Sequence, residues 1–234
     1  VRVAIHGGPG VGKSSFAAAA PAPLFIDADR RTGNLDVARV VPTSWSDILD
    51  TMRELCTVTA AKSEFATIVF DTLDAMEYLL HAELCAKHGC ENIEQIAGGY
   101  GKGFVAAKVE WLRFAAGIEA LRSVGFGVIL IAHSDIRTFQ NPDGENYDVW
   151  TMQLDKRAVS ILRGRVDIIG FACHEDLARK KKGELKAKVV TTGERVLKFK
   201  HNPAYLTKQD MGVPDDIPLS WAEFAKYVNP SQEK

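Results

Sequence analysis

The sequence predicts an α/β fold: a mostly parallel sheet flanked by helices, with an antiparallel C-terminal extension. Three observations predict it. A glycine-rich octapeptide, Gly7 to Ser14, separates a short apolar run from a short helical one. Short β-branched runs then alternate with amphipathic stretches through the first two-thirds of the chain. After that, strands follow one another with glycine-containing turns between them, which is the pattern of antiparallel pairing. Residues 1–234 read as one domain, with 175–234 a hairpin-rich extension of it.

The elements follow in order. Arg2 to His6 is a buried strand, and Lys13 to Ala20 a short helix ended by Pro21 and Pro23. Leu24 to Ile26 is a second strand, closed by Asp27 and Asp29. Ser44 or Ser46 caps a helix reaching about Leu55. Thr67 to Phe70 is a third strand, closed by Asp71. Met76, Leu79, Leu80 and Leu84 recur at helical spacing within residues 74–88, and Gly89 stops that helix. A Gly-rich segment, 98–103, precedes a long helix from Phe104 to Arg122, with Val105, Val109, Leu112, Ala116 and Leu121 broadly on one face. Val128 to Ala132 is a fourth strand, ending at His133. Residues 135–152, around Asn141-Pro142-Asp143-Gly144, read as a long polar loop. A helix over 156–165 leads to a strand from Asp167 to Cys173. Strands at Leu185 to Thr191 and Arg195 to Lys200 have turns at Lys182-Gly183 and Thr192-Gly193. Ser220 and Glu223 have capping-box spacing before a last helix, 221–228.

Composition narrows the function classes. The chain has 234 residues, 46% hydrophobic and 25% charged, enough to bury a full core without disulfides or metal staples. A formal net charge of −1 gives no global attraction to nucleic acid or membrane, so any polyanion needs a local patch. The four cysteines form no CxxC pair, and a reducing cytoplasm is the simplest setting. The longest strongly apolar run, Val124 to Ala132, is too short to span a bilayer, and no signal-peptide pattern is expected at the N-terminus. Cys85, His88 and Cys90, with Cys173-His174, do not follow a recognised zinc pattern and read as buried thiols.

The octapeptide Gly7-Gly8-Pro9-Gly10-Val11-Gly12-Lys13-Ser14 fits GxxxxGK[ST]. Glycines let backbone N–H groups turn inward around phosphate oxygens, and the following helix offers them its positive end. Lys13 reaches the β- and γ-phosphates of ATP, the Ser14 hydroxyl ligates Mg²⁺, and Ser15 follows on the same turn. This is a P-loop NTPase signature in its required context, between strand and helix. Asp71, at the tip of a neighbouring strand, is the candidate carboxylate for the magnesium shell. Asp29, Asp74 and Glu77 are candidates to orient or deprotonate water, and His133 to sense the γ-phosphate.

The phosphate loop, Leu24-Phe25-Ile26-Asp27-Ala28-Asp29, Ile68-Val69-Phe70-Asp71-Thr72, Tyr100-Gly101-Lys102-Gly103 and Val128-Ile129-Leu130-Ile131-Ala132-His133-Ser134 occur in that order. On these segments residues 1–175 resemble the RecA-like ATPase core, and within it the small phage-encoded single-strand annealing ATPases. The resemblance implies that Asp29 stands where such proteins place the catalytic glutamate. It implies that His133 stands at the polar residue linking the γ-phosphate to a DNA loop. Two DNA-binding loops would map to about 90–103 and 135–152. There Lys102 lies near Tyr100 and Phe104, and Arg137 near Phe139, cations for phosphates beside aromatic faces for bases. The basic run Arg179 to Lys182 reads more readily as a solvated turn than as a DNA contact.

Such proteins often borrow a basic residue from the next subunit within a homo-oligomer, ring or filament. The matching place here reads Lys208-Gln209-Asp210, without the expected arginine, and Lys198 and Lys200 are alternative donors. The expectation is therefore an ATP- and Mg²⁺-dependent ATPase of the host cytoplasm that binds and anneals single-stranded DNA. A single-strand binding protein would be a partner. Two alternatives stand beside it. One is a phosphotransferase, although 135–152 has one arginine where a kinase lid has several; the other is a non-hydrolysing, nucleotide-gated scaffold.

Overall fold

The computed structural model describes residues 1–179 and 188–228, with side chains described except at 176–179 and 188–192. The strands are β1 (Arg2–Gly7), β2 (Pro23–Asp27), β3 (Ala38–Val40), β4 (Thr67–Asp71), β5 (Gly127–Phe139), β6 (Tyr147–Met152), β7 (Ile168–Arg179), β8 (Lys188–Lys198), β9 (Lys208–Gln209) and β10 (Asp216–Pro218). The helices are α1 (Lys13–Ala18), α2 (Trp45–Leu55), α3 (Leu73–His88), α4 (Lys102–Ser123), α5 (Lys156–Arg165) and α6 (Trp221–Val228).

The strands form one sheet in the order β10-β8-β7-β1-β5-β4-β2-β3, with β6 beside β5 and β9 beside β7. From β7 across to β3 every neighbour is parallel. The pairs that involve β6, β8, β9 and β10 are antiparallel. This is the expected parallel sheet with an antiparallel extension.

Alternation along the strands divides the core. Ile26, Ile68, Phe70, Val128 and Leu130 face α2, α3, α4 and α5, where Phe114 packs edge-on against Phe70 and Trp111, and Trp111 against Trp45. Val3, Ile5, Ile168 and Leu197 face the other layer, where Phe16 of α1 meets Trp221 and Phe224 of α6. At six residues α1 is too short to persist alone, so this aromatic contact supports it. Helix α2 starts at a capping box, Ser44 with Asp47, and α3 ends on Gly89 in the left-handed region.

Four sequence expectations need correction, and one strand had not been expected. Residues 135–152 are a β-hairpin and not a loop. Strand β5 runs on past His133 to Phe139 and pairs with β6, Phe139 opposite Tyr147. The hairpin's side chains are largely exposed, so no buried face imposed a period-2 pattern. The turn expected at Thr192-Gly193 lies inside β8. There His174 pairs with Arg195 and Asp176 with Thr191, so β8 carries extra residues as a bulge, with Gly193 at φ +82°. On α4, Val105, Val109 and Leu112 are exposed; the buried face carries Ala107, Trp111, Phe114, Ile118 and Leu121. The larger aromatic side chains win the core, because they remove more apolar area from water. The short edge strand β3 had no distinct sequence signal. Glu223, read as the capping-box partner of Ser220, instead bonds Lys226. The turn at Lys182-Gly183 and most of the basic run Arg179 to Lys182 lie outside the described residues.

His6 is fully buried in β1. Its Nε2–H donates to the Leu206 carbonyl at 2.7 Å, which leaves Nδ1 to accept from the Ser134 hydroxyl at 2.8 Å. Burial pushes its pKa down to about 4; the Leu206 bond opposes this and the Lys13 charge adds to it. A histidine depressed on folding contributes stability that is present above about pH 6.5 and lost as pH falls through the folded value. The unfolding free energy should therefore drop between pH 6.5 and 4, by on the order of 3 kcal/mol once titration is complete. Urea denaturation across that range tests it, and His6→Gln, which cannot titrate, should show a shallower slope.

Candidate functional site

The loop after β1 leaves the sheet at its most constrained point. Gly7 is paired on both edges, with His133 of β5 and Ala172 of β7. A Cβ on Gly7 would lie 2.2 Å from the Ala172 carbonyl oxygen, so only glycine fits. Gly12 has φ +106°, again a glycine conformation.

A cleft of about 250 Å³ opens at the C-terminal ends of these strands, where open α/β sheets bind ligands. Pro9, Gly10, Gly12, Lys13, Ser14, Ser15, Asp29, Asp71 and His133 line it, together with Arg31 and Arg195. Of the loop residues in the motif, Val11 is buried in the core and anchors the loop. Gly7 and Gly8 contribute carbonyls to Lys13, whose Nζ donates to them at 2.9 and 2.8 Å. Burial lowers the Lys13 pKa to about 8, against the pull of Asp71, Asp74 and Asp29. Lys13 is therefore a largely desolvated cation, and its field on a phosphate is stronger than in water.

Asp71 ends β4, paired with Asp27 and Ile131. It is 3% exposed, and its Oδ2 has no hydrogen-bond partner among the described residues. A buried carboxylate oxygen without a donor is costly unless a cation or water meets it. With the Ser14 hydroxyl beside it, this oxygen fits the hard, oxygen-seeking shell of Mg²⁺. Burial raises the Asp71 pKa to about 6; the Ser14 hydroxyl and Lys13 lower it, while Asp27 and Asp29 add to the rise.

The two acids after β2 separate in role. Asp27 is buried and accepts from the Thr32 hydroxyl at 2.5 Å and from the Thr32 and Arg31 amides, so it holds the turn. Asp29 lines the cleft, where Arg31 Nε lies 3.4 Å from its carboxylate. Asp74 is committed elsewhere: it accepts from the His133 amide at 2.8 Å and from His133 Nδ1 at 2.8 Å. Burial alone would raise the Asp74 pKa, but these bonds outweigh it and hold the group below the ordinary carboxylate range. The pair fixes the ring, with Nδ1–H toward Asp74 and Nε2 as its remaining nitrogen.

Glu77 faces a second cavity, of about 220 Å³, with Phe104, Arg137 and Asp155. It accepts from the Asp155 amide at 3.0 Å, and burial pushes its pKa up to about 7. The DNA candidates are spread between this cavity and the surface. Tyr100 is fully exposed, and Lys102 Nζ donates to the Ala97 carbonyl at 3.1 Å. Phe104 is half-buried, with the Arg157 guanidinium 5.7 Å from its ring centre. Arg137 donates to the Leu154 carbonyl. Phe139 is exposed and packs against Tyr147 across the hairpin at 5.1 Å. Sequence reasoning missed Arg31 and Arg195; no local motif marks either, and only the fold brings them to the loop. Among the described residues no helix is long and apolar enough to cross a membrane.

The family model AAA_24, described as an AAA domain, matches residues 1–210. Comparison with the curated proteins finds no match.

The Asp71 chemistry predicts a pH dependence. Above about pH 6 its carboxylate is ionised and offers Mg²⁺ a charge; below, a proton competes for the same oxygen. Mg²⁺-dependent binding of a fluorescent ATP analogue should weaken about tenfold per unit below pH 6. Asp71→Asn should bind with little Mg²⁺ dependence at any pH.

Proposed function

Because the chain belongs to the AAA domain family, a family of P-loop ATPases, we propose that it is an ATPase that binds single-stranded DNA and promotes its annealing as an oligomer. The observation that carries the reading is the continuity of β5. One strand holds His133 against the phosphate cleft and, six residues later, Phe139 on an exposed hairpin. A change at the γ-phosphate felt by His133 has a direct covalent and hydrogen-bonded route to that hairpin.

The hairpin suits a base-stacking surface. Phe139, Tyr147 and Trp150 are 47%, 36% and 40% exposed, and Tyr100 is fully exposed. Aromatic faces take any base, and the cations for the phosphates are Lys102 and the hairpin's Arg137. In turnover, Lys13 places its buried charge on the β- and γ-phosphates. Ser14 and Asp71 would hold a magnesium ion, which would supply charge neutralisation on the same phosphates. Asp29 orients the attacking water once its carboxylate is free of Arg31. His133, kept in one tautomer by Asp74, offers Nε2 to the γ-phosphate and shifts β5 when that phosphate leaves.

ATP hydrolysis with and without single-stranded DNA, at low and high salt, tests the proposal, with Lys13→Ala as the blank. Salt-sensitive stimulation that vanishes in the blank is the expected result. Replacing both Phe139 and Tyr147 by Ala should weaken single-strand affinity by about 10- to 100-fold, read by fluorescence anisotropy. Turnover indifferent to DNA would redirect attention to phosphate acceptors; ATP bound without turnover would favour a nucleotide-gated scaffold.

A further inference from the structure

Three lysines were expected to supply a basic residue to the site of a neighbouring subunit; none of them is turned toward the cleft of its own chain, and each is engaged elsewhere. Lys208 Nζ donates to the Val166 carbonyl at 2.8 Å and the Arg163 carbonyl at 3.3 Å, closing the end of α5. Lys200 pairs with Asp215 at 2.8 Å. Lys198 lies over the Tyr205 ring, 5.8 Å from its centre.

The register of the sheet selects a different residue. Gly7, where β1 enters the phosphate loop, is level with Ala172 of β7, and Ala172 with Leu197 of β8. Two residues further toward the loop, His174 pairs with Arg195. Arg195 therefore stands just above the level at which the loop begins, while Lys198 stands one residue below it, opposite Phe171. Strand alternation then fixes the face. Arg195 shares a face with Leu197, which packs with Val11 and Phe16 under the loop and α1. Lys198 points to the opposite face.

The side chain completes the case. A Cβ on Gly12 would lie 2.9 Å from Arg195 Nη1 and 3.7 Å from its Cδ, so the arginine lies across the last glycine before Lys13. It lines the phosphate cleft, remains exposed, and has no ion pair among the described residues. Its backbone is pinned: the Leu219 amide donates to the Arg195 carbonyl at 2.8 Å, and the bulge at Gly193 sets its place on the strand. A guanidinium held on a strand, open to the cleft and without a carboxylate partner among the described residues, is arranged for an anion that arrives.

We propose that Arg195 is a catalytic arginine acting in cis, contacting the γ-phosphoryl group as it transfers. The proposal rests on the cleft taking a nucleoside triphosphate. In the step, the water oxygen forms a bond to the γ-phosphorus while the bond to the β–γ bridging oxygen breaks. That bond's electron pair stays on ADP, and the water's proton leaves through Asp29 to solvent. Negative charge spreads over the three remaining γ-oxygens and the bridging oxygen, and the planar guanidinium donates to them. Arg195 belongs to the same chain as Lys13, so this arginine reaches the cleft without a neighbouring subunit.

Arg195→Ala and Arg195→Lys, compared with wild type and Lys13→Ala, test this. Arg195→Ala should bind a fluorescent ATP analogue within about tenfold of wild type. It should lose about a thousandfold or more in kcat and in affinity for ADP–aluminium fluoride, which mimics the transferring group. Arg195→Lys should restore part of both. Co-expression of Arg195→Ala with Lys13→Ala should recover no turnover, since each chain then lacks one half of its own site. Recovery in the mixture would show that Arg195 serves a neighbour and overturn the proposal, as would near wild-type kcat in a folded Arg195→Ala. Should Arg195→Ala fail to fold, Arg195→Gln, which keeps the length without the charge, carries the same expectation. Failure of wild type to bind any nucleoside triphosphate would be a distinct result and would overturn the underlying reading as well.

Discussion

The structure depends on one constraint: β1 is hydrogen-bonded along both edges, and the chain must leave it through a turn with no room for a side chain. Gly7 sits against the Ala172 carbonyl, and the loop that follows can only fold upward over the sheet's end. Parallel register carries that level outward. It sets His133 beside Gly7, Asp71 level with Ile131, and Asp27 level with Asp71. The residues that converge on the cleft come from positions 13, 29, 71, 133 and 195, and what brings them together is strand pairing.

Charge at the cleft is arranged in depth. Lys13 and Asp71 are nearly inaccessible, and burial moves each toward its neutral form. Such groups are destabilising on their own, and a phosphate–metal ligand would relieve both at once. His133 and Asp74 form a hydrogen-bonded pair behind them, and Arg31 and Arg195 stand at the rim with Asp29. The interior thus holds groups whose best partner is a ligand, while the rim holds charged groups nearer to solvent.

The antiparallel extension is part of the same machine. Helix α1 has six residues and leans on Trp221 and Phe224 of α6, so the last helix stabilises the first. Strands β7 and β8 widen the sheet on the side away from β5 and place a basic residue over the loop. The bulge at Gly193 lets a long hairpin twist while keeping Arg195 in place. On the other side of β1, β5 leaves the sheet with His133 behind it and becomes the exposed hairpin.

Local chemistry was legible in the chain itself. The spacing of Gly7 to Ser14 between a strand and a helix determined the phosphate loop, and Asp71 was found because a β-branched run ends there. The capping serine before Trp45 and the glycine after His88 marked helix ends through the backbone groups they satisfy. What failed did so where the signal is not local. Residues 135–152 carry no buried face, so their pairing left no alternation to read. On α4 two apolar stripes compete, and only packing against Trp45 and Phe70 decided that Trp111 and Phe114 go inside. Thr192-Gly193 has the composition of a turn and became a bulge because β7 continues opposite it. Arg195 lies far along the chain from Lys13 and carries no motif, and its approach to Gly12 exists only because β8 joins the sheet two strands from β1. The sequence by itself determined which side chains can do phosphate chemistry, since that follows from bond geometry over a few residues. The tertiary structure decided which of them meet, since meeting is set by register between strands that the chain does not place side by side.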